Sequence, residues 1–266
     1  MVQSSDNWLA LMIGNSRLHW GWFQGKQLRQ QWDTAHFSEA EMTAVIEHWM
    51  GDRPPDSSLP LGLQAVPQAK LPLWLASVVP QQVPLWQRYP ATHLITRDQI
   101  PLANQYATLG IDRSLALWGA GQTYGFPVLV IDGGTALTLT AADEQQRIVG
   151  GAILPGVWLQ LRSLAQQTAA LPEVPLALSQ ALPPRWATNT PEAMQSGVMY
   201  ALLAGVQEFV VDWLETWSEG AIAFTGGDGH WLHHHLQRRI PTAAQRLHHD
   251  PGLIFKGIAA LRSILG

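Results

Sequence analysis

The same local pattern occurs twice in this chain, separated by about the length of a domain. An apolar segment, a glycine-containing turn and an alternating segment follow one another at residues 9–22, and the same order returns at residues 128–140. Gly14 and Gly134 hold matching positions in the two turns. Two similar halves that face each other would form a cleft between two hairpin turns, so the repeat favours a duplicated fold. Two ordinary β-hairpins would give the same resemblance by chance, and the repeat alone leaves both interpretations open.

Hydrophobic periodicity predicts strands and helices along the whole chain. Short apolar or alternating runs predict strands, and apolar residues at helical spacing predict helices. Ser38 and Glu41 form a capping box at the start of the first predicted helix. The predicted strands are 8–13, 17–22, 73–79, 92–96, 128–131, 137–140, 148–154 and 221–225. The predicted helices are 37–50, 114–122, 158–169, 191–217 and 253–265, and residues 52–72, rich in proline, serine and glycine, are predicted to be a loop.

Composition excludes several classes of protein. The chain of 266 residues contains no cysteine, which excludes disulfides, a cysteine-ligated zinc site and a thiol nucleophile. Its 16 Lys and Arg against 20 Asp and Glu give a net charge of −4, which disfavours a nucleic-acid-coating role. Because it lacks a signal peptide and an apolar run of about 18 residues, we expect a cytoplasmic protein without a membrane span. With only 14% charged residues and 13 tryptophans, we expect part of the surface to be buried in an oligomer.

Both repeated turns have the parts of a phosphate-binding site. Glycine lets the backbone approach an anion closely, consecutive N–H groups form an anion-binding nest, and a hydroxyl adds a donor. The Gly-Asn-Ser turn at residues 14–16 and the Gly-Gly-Thr turn at residues 133–135 both contain these parts. The same residues also suit ordinary tight turns. As a pair in a duplicated frame, they suggest a nucleotide held between two lobes.

Other segments carry residues suited to binding or catalysis. Asp112 precedes a predicted helix, and it is either the helix N-cap or a general base or metal-orienting carboxylate. Arg113 is either a solvated arginine or a fork for a substrate carboxylate or phosphate. The turn at residues 225–229 either lies against an adenosine or is a plain strand-to-helix turn. His230 and His234 have the spacing of a two-histidine metal site, but no acidic residue stands between them, so a solvated helix face is favoured.

Several short motifs, taken in order, resemble those of the type III pantothenate kinases, also called the Bvg accessory factor family. A Gly-Ile-Asp-Arg segment starts at Gly110, an Asp-Gly-Gly-Thr-Ala segment at Asp132 and a Gly-Gly-Ala-Ile-Leu-Pro-Gly segment at Gly150. These three motifs are specific in combination, although each is weak alone. Further matching segments are 12–16, 76–80, 189–197 and 225–228, and the order and spacing hold from about residue 8 to residue 262.

The resemblance implies a fold, an activity and a set of site residues. The fold is an actin-like (ribonuclease H-like) α/β fold of two related lobes, 1–114 and 115–266. The implied protein is a cytoplasmic homodimer that phosphorylates pantothenate with ATP, using Mg²⁺ and a monovalent cation, K⁺ or NH₄⁺, in the first step of coenzyme A synthesis. Asp112 is the implied catalytic base, and Asp132 the implied cation ligand. The positions implied for pantothenate are Gly110, Ile111, Arg113, Tyr106 and, reaching the substrate of the partner subunit, Thr190; those implied for ATP are Met12, Ile13, Gly14, Asn15, Ser16, Arg17, Gly134, Thr135, Gly226 and Gly227.

Two positions depart from the family pattern. Met12 stands where the first phosphate motif normally opens with Asp, so a carboxylate beside the ATP phosphates is missing. Tyr106 lies four residues before Gly110, and Ala107 stands where a proline is expected. Met12 favours an alternative function, an actin-like nucleotide-binding regulator with weak or no turnover, whereas the retained Asp112 favours the kinase. A sugar or acetate kinase is disfavoured by the short chain and by the Gly-Ile-Asp-Arg segment.

Overall fold

The computed structural model describes residues 7–52, 63, 70–175, 178 and 181–266, and most of the predicted loop at 52–72 lies outside these residues. The chain divides into two compact units. Unit 1 comprises Met1–Pro101, Tyr106–Gly119 and Ile254–Gly266, and unit 2 comprises Leu102–Gln105 and Ala120–Leu253. The lobe boundary predicted after residue 114 therefore differs from this division in two ways. It falls inside a helix, and the C-terminal segment belongs with unit 1.

Unit 1 is built on a five-stranded mixed sheet. Its strands are β1 (Asn7–Ile13), β2 (Leu18–Gln24), β3 (Gln27–Thr34), β4 (Leu73–Ser77) and β5 (Thr92–Leu94). They lie in the order β3-β2-β1-β4-β5. The first three strands pair antiparallel, whereas β4 is parallel to β1 and β5 is parallel to β4. Among the described residues of this part of the chain, the helices are α1 (Glu39–Met50), α2 (Val83–Trp86) and α3 (Ile111–Tyr124), with 3₁₀ turns at Pro80–Gln82 and Arg97–Gln99.

Unit 2 contains a second five-stranded sheet. Its strands are β6 (Val128–Gly133), β7 (Ala136–Ala142), β8 (Ile148–Pro155), β9 (Ala221–Thr225) and β10 (Leu247–His249), in the order β10-β9-β6-β7-β8. Strands β6, β7 and β8 pair antiparallel, and β9 and β10 continue parallel to β6. The described helices of unit 2 are α4 (Val157–Gln167), α5 (Thr190–Thr216) and α6 (Gly229–Arg239), with a 3₁₀ turn at Pro241–Arg246. The last helix, α7 (Leu253–Leu265), belongs with unit 1.

The two sheets repeat one topology. In each sheet the first strand is central, two antiparallel strands follow on one side, and two parallel strands lie on the other side. Strand β1 thus corresponds to β6, and the order of the other four strands corresponds as well. Two unrelated hairpins would share only their first two strands. The interpretation of the sequence repeat as a duplication is therefore the one that the structure supports.

Most predicted elements are confirmed, and two strands are new. The capping box at Ser38 and Glu41 is present at the start of α1. Strand β3 was not predicted, because its Gln-Leu-Arg-Gln-Gln-Trp-Asp-Thr sequence lacks the apolar alternation of a half-buried strand. It lies at the sheet edge with all of its residues exposed or half-buried, so backbone pairing with β2 determines its conformation. Strand β10 was also missed, since three residues are too few to show a period.

The abundant tryptophans mainly form the core of unit 1. Trp20 is fully buried at the centre of an aromatic cluster. Its ring meets that of Trp86 edge-on, with 5.3 Å between centroids and 73° between planes, and it also meets Trp49 edge-on. Phe37 and Trp32 lie beside it in stacked geometry. Edge-to-face and offset-stacked pairs of this kind add stabilisation beyond the area that they bury.

Close contacts explain why α7 belongs with unit 1 although it ends the chain. Gly257 packs directly against the backbone of Leu115 in α3, where a side chain would collide. Phe255 approaches Gly21 of β2, and the Arg262 guanidinium lies 4.8 Å from the centroid of the Trp8 ring. These tertiary contacts join the last helix to the first strands, an arrangement that no local sequence pattern specifies.

Helix α5 is long and apolar enough to cross a membrane by length and composition. It is nevertheless a core helix in this structure. Its buried side chains belong to the hydrophobic core of unit 2, where they pack with residues of β6, β7 and β9. The core residues contributed by α5 are Met194, Val198, Met199, Leu202, Leu203, Val206, Val210 and Trp213.

Candidate active site

The first predicted phosphate turn connects β1 and β2 in unit 1. The Gly14 N–H donates to the Arg17 carbonyl at 3.0 Å, which closes the turn. Asn15, Ser16 and Arg17 are exposed at its tip. A methyl group on Gly14 would lie 3.2 Å from the Arg17 carbonyl oxygen and from the His19 ring, so this position suits a small residue. The turn therefore presents backbone and polar side chains to solvent, as an anion site requires.

Met12 and Ile13 precede this turn with fully buried side chains. Met12 lies in the centre of the sheet, paired with His19 of β2 and with Ala76 of β4. Its exposed fraction is 1%, so its thioether is part of the packing. Met12 thus packs as a buried residue near the end of β1, within the strand predicted for residues 8–13.

The segment predicted to bind pantothenate lies at the start of α3. Arg113 is buried, and its Nη1 donates to the Tyr106 hydroxyl at 2.9 Å. The structure thus joins Tyr106, whose position departs from the family pattern, to Arg113, which matches it. Asp112 is half-buried in the first turn of α3, and its Oδ1 accepts the Arg113 N–H at 2.8 Å. Because the helix begins at Ile111 and the Ser114 N–H bonds to the Gly110 carbonyl, Asp112 is not the N-cap.

A cavity of about 420 Å³ lies beside this segment, within unit 1. The predicted substrate residues Gly110 and Ile111 line it. A volume of this size suits a small polar metabolite. The walls are mainly apolar, and Arg97 is the charged residue among them; the full lining is Ser77, Val78, Pro80, Val83, Leu94, Ile95, Thr96, Arg97, Leu109, Gly110 and Ile111. The Ser-Val-Val-Pro segment at 77–80, noted in the sequence as a matching motif, is thereby placed at the same cavity.

The second predicted phosphate turn connects β6 and β7 in unit 2. Asp132 is half-buried at the end of β6, and Thr135 is exposed at the tip of the turn. The Gly134 N–H donates to the Ala136 carbonyl at 3.1 Å. The Gly156 N–H donates to the Thr135 carbonyl at 3.0 Å, so the residue that precedes α4 supports the turn from outside. No role is predicted for Gly156 from the sequence, although the Pro-Gly that ends its motif is a usable signal.

The turn after β9 packs against the same end of β6. Gly226 has a positive φ of 78°, and a methyl group there would collide with the Asp132 carboxylate and the Gly133 carbonyl. The Asp228 N–H donates to the Gly133 carbonyl at 2.9 Å. Gly226 and Gly227 are exposed. Both predicted ATP segments of unit 2 therefore form one continuous surface, and only a glycine at 226 permits this approach.

The oxygen atoms at this point suit a hard cation. The Asp132 carboxylate and the Gly133 carbonyl lie side by side over Gly226. Mg²⁺ in phosphate-transfer sites is typically held by one or two carboxylates together with phosphate oxygens and water. Among the described residues no group of three or more His, Asp or Glu side chains forms a complete cage. The site thus fits a metal that arrives with a phosphate ligand.

Thr190 lies elsewhere in unit 2, at the first position of α5. Asn189 caps this helix, since its Oδ1 accepts the Glu192 N–H at 3.0 Å. Both Asn189 and Thr190 are exposed and line an open cavity of about 520 Å³. The remaining lining residues are Leu171, Ala187, Thr188, Ala193 and Met194.

The clustered histidines do not form a metal site in the described part of the chain. His233 hydrogen-bonds the Leu247 carbonyl at 3.1 Å, and the rings of His230 and His233 lie near that of His249. Burial, followed by the neighbouring histidines, lowers the pKa of His249 below its ordinary value. Of the two histidines expected on a solvated face, His230 is exposed and His234 is half-buried. His235, which follows them, is buried edge-on against Trp231.

Comparison with solved structures defines the fold. A protein assigned to the Baf family of transcriptional activators from Campylobacter jejuni superposes with a TM-score of 0.62 at 18% identity, covering 97% of this chain and 98% of that chain. A ROK hexokinase from Thermus thermophilus superposes with a TM-score of 0.50 at 11% identity, covering 98% and 100%. At such identities the likeness shows the fold alone. The fold is the actin-like fold of ATPases and sugar kinases, as the sequence motifs predicted.

Comparison of sequences defines the family. The family model for type III pantothenate kinase matches residues 8–212. A type III pantothenate kinase of Nostoc sp. (strain PCC 7120) is 50% identical over 96% of this chain and 94% of its own length, and one of Synechocystis sp. (strain PCC 6803) is 43% identical over 96% and 90%. Another, from Synechococcus sp. (strain JA-3-3Ab), is 41% identical over 99% and 96%. The chain belongs to the type III pantothenate kinase family.

Proposed function

We propose that this chain transfers the γ-phosphoryl group of ATP to the primary hydroxyl of pantothenate, giving 4'-phosphopantothenate in the first step of coenzyme A synthesis. The observation that carries the proposal is the 420 Å³ cavity of unit 1, whose wall includes Gly110 and Ile111. The half-buried Asp112 follows these two residues directly in the sequence. A carboxylate at the edge of a substrate-sized cavity is suitably placed to act on a bound hydroxyl.

Asp112 acts as the general base in this proposal. It accepts the hydroxyl proton of pantothenate as the oxygen attacks the γ-phosphorus, and the bond between that phosphorus and the β–γ bridging oxygen breaks. The Arg113 N–H bond to Oδ1 holds the carboxylate in one orientation. Arg113 and Tyr106, joined by their hydrogen bond, bind the polar groups of pantothenate. A base of this kind contributes about 10²–10⁴-fold to the rate.

The glycine turn of unit 1 and the glycine turn of unit 2 each offer donors suited to a phosphate group. The N–H groups of Gly14 and Gly134 close their turns, so the donors to phosphate oxygens are the hydroxyls of Ser16 and Thr135 and the other N–H groups at the turn tips. Gly226 and Gly227 border the adenosine. Mg²⁺, when bound with ATP, neutralises charge on the transferred group. Asp132 is the carboxylate that would hold it, or a monovalent cation such as K⁺ or NH₄⁺. With few lysines in the chain, backbone dipoles supply much of the positive potential.

The proposal extends to the assembly and its location. A cytoplasmic homodimer, in which Thr190 of each subunit reaches the substrate of the other, agrees with the exposure of Thr190 beside an open cavity. Pantothenate and ATP are the expected ligands, and we expect neither nucleic acid nor membrane to bind.

A second candidate function is an actin-like nucleotide-binding regulator with weak or no turnover. The observation that favours it is Met12, which replaces a carboxylate by a buried thioether. An assay that couples ADP release to a spectroscopic signal, run with and without pantothenate, separates the two functions. Pantothenate-dependent ADP release supports the kinase. ATP binding without such release, at every magnesium concentration tested, would favour the regulator.

A further inference from the structure

We propose that Arg97 is a positioning residue for pantothenate binding, because it fixes the backbone of the segment from Tyr106 to Gly110. This inference rests on the proposed function of the cavity in unit 1. Arg97 lies in the 3₁₀ turn that follows β5, well separated in sequence from the segment that it holds. It belongs to none of the motifs that identified the site from sequence.

Two hydrogen bonds carry the proposal. Nη1 of Arg97 donates to the Ala107 carbonyl at 2.6 Å and to the Leu109 carbonyl at 2.8 Å. Hydrogen bonds from a charged donor are shorter and stronger than neutral ones. One nitrogen atom therefore ties together two carbonyls that lie two residues apart, immediately before Gly110.

The side chains of this segment bury little apolar surface. Tyr106, Ala107 and Thr108 are exposed, and Leu109 is the buried side chain among the four residues that precede Gly110. The Leu109 N–H closes a turn on the Tyr106 carbonyl at 3.0 Å. Because apolar burial is so limited here, the Arg97 hydrogen bonds provide much of the restraint.

The backbone around Arg97 is itself held in place by hydrogen bonds and burial. Thr96 and Gln99 form a capping box around its turn, and the following Ile100 is buried and donates its N–H to the Arg97 carbonyl at 3.1 Å. The side chain also lines the 420 Å³ cavity together with Leu109 and Gly110. A side chain whose own backbone is fixed can hold the residues that it contacts in one position.

Loss of this anchor should weaken pantothenate binding selectively. A shift of the 107–109 backbone would move Gly110 and Ile111 at the cavity wall and displace Tyr106 from Arg113. A displacement of about 1 Å near a reacting group can cost about 10²-fold in rate. The hydrogen bonds of Arg97 to Ala107 and Leu109 act on the pantothenate segment and not on the phosphate turns, so we expect ATP binding to change little.

The test compares Arg97→Met, Arg97→Lys and a control, Arg88→Met, in steady-state kinetics. Arg88 is also an arginine of unit 1, but it pairs with Glu39 on the exposed surface. We expect Arg97→Met to raise KM for pantothenate by about tenfold or more, while KM for ATP stays within about twofold. Arg97→Lys should recover most of this loss, because one nitrogen makes both bonds and an ammonium keeps a donor for them. Arg88→Met should match the wild type.

Hydrogen exchange provides a readout that does not depend on turnover. Backbone amides from Tyr106 to Ile111 should exchange faster in Arg97→Met than in the wild type or in Arg88→Met, with unchanged exchange in β6 and β7. Unchanged exchange in this segment, or equal increases in KM for ATP and for pantothenate, would overturn the proposal. If the wild type releases no ADP with pantothenate, the proposed function fails, and the exchange result still decides whether Arg97 anchors the segment.

Discussion

At the scale of single residues, Asp112 carries the sharpest chemical expectation. Its carboxylate lies in the first turn of α3, oriented by the Arg113 N–H at 2.8 Å. Asp112→Asn keeps the size and this acceptor but removes the base, so we expect kcat to fall by about 10²-fold or more with little change in thermal midpoint. Kinetics and a melting curve on the same preparation check this. Turnover near that of the wild type would exclude Asp112 as the base.

Met12 is the second residue with a specific expectation. It is 1% exposed, so Met12→Asp introduces a buried carboxylate and should lower the thermal midpoint. If that carboxylate also helps to hold Mg²⁺, the magnesium concentration needed for half-maximal activity should fall. Met12→Leu is the matched control, because a swap of similar volume costs less than about 1.5 kcal/mol. Coincident magnesium titrations for wild type and Met12→Asp would show that the missing carboxylate has no bearing on the metal.

Asp228 offers a test of pH dependence. Burial raises the pKa of this carboxyl above 3.8, and the side chain makes no capping hydrogen bond at the start of α6. A raised pKa means that the folded state binds the proton more tightly, so stability falls as pH rises through that pKa. Asp228→Asn should therefore have a higher thermal midpoint than the wild type at pH 7. The difference should disappear below pH 3.8; a lower midpoint at pH 7 would contradict this account.

At the scale of secondary-structure elements, the junction between β8 and α4 supports the phosphate turn of unit 2. The Gly156 N–H bonds to the Thr135 carbonyl, and a methyl group at Gly156 would collide with the Gly134 carbonyl. The backbone at Gly156 has φ −66° and ψ 171°, which any residue can adopt. A substitution there therefore tests the contact and not the conformational freedom of glycine.

We expect Gly156→Ala to cost about 1–3 kcal/mol of stability by overpacking and to raise KM for ATP, since the turn must move. Gly205→Ala in α5 is the control, because a methyl group there meets no atom within 4 Å. That change should be neutral or stabilising by up to about 1 kcal/mol. Denaturant unfolding and ATP kinetics of both variants provide the comparison. An unchanged KM for ATP in Gly156→Ala would mean that this junction does not shape the ATP site.

At the scale of the whole molecule, the chain should act as a homodimer. Charged residues make up only 14% of the sequence, and Val149 and Ile153 are more than half exposed on β8. Apolar surface of this kind is typical of protein interfaces. Analytical ultracentrifugation at the concentration of the activity assay should show a dimer, with activity lost on dilution to monomer. A stable monomer with full activity would refute the assignment of Thr190 to the partner's substrate.

The sequence alone determined the local elements, the family and the identity of the candidate residues. A capping box indicated α1, and short apolar or alternating runs indicated β1, β2, β6 and β7, because strands buried on both faces are continuously apolar and half-buried strands alternate. The repeated turns, Gly-Ile-Asp-Arg and the other glycine motifs were recognisable because each is a short run of characteristic residues, and glycine allows the close backbone approach that tight turns and anion sites need. Each of these signals lies within a short contiguous stretch of the chain, so it can be recognised from the sequence alone.

Only the tertiary structure decided which distant residues meet. Arg97 reaches Ala107 and Leu109, Gly156 supports Thr135, and Gly226 lies against Asp132. It also placed α7 beside the first strands and β3 at the edge of its sheet. These contacts depend on chain topology and on packing between segments far apart in sequence, whereas periodicity reports only which face of an element is buried. A hydrogen bond from a side chain to a remote carbonyl leaves no period and no motif in the sequence, and its existence follows from the folded arrangement alone.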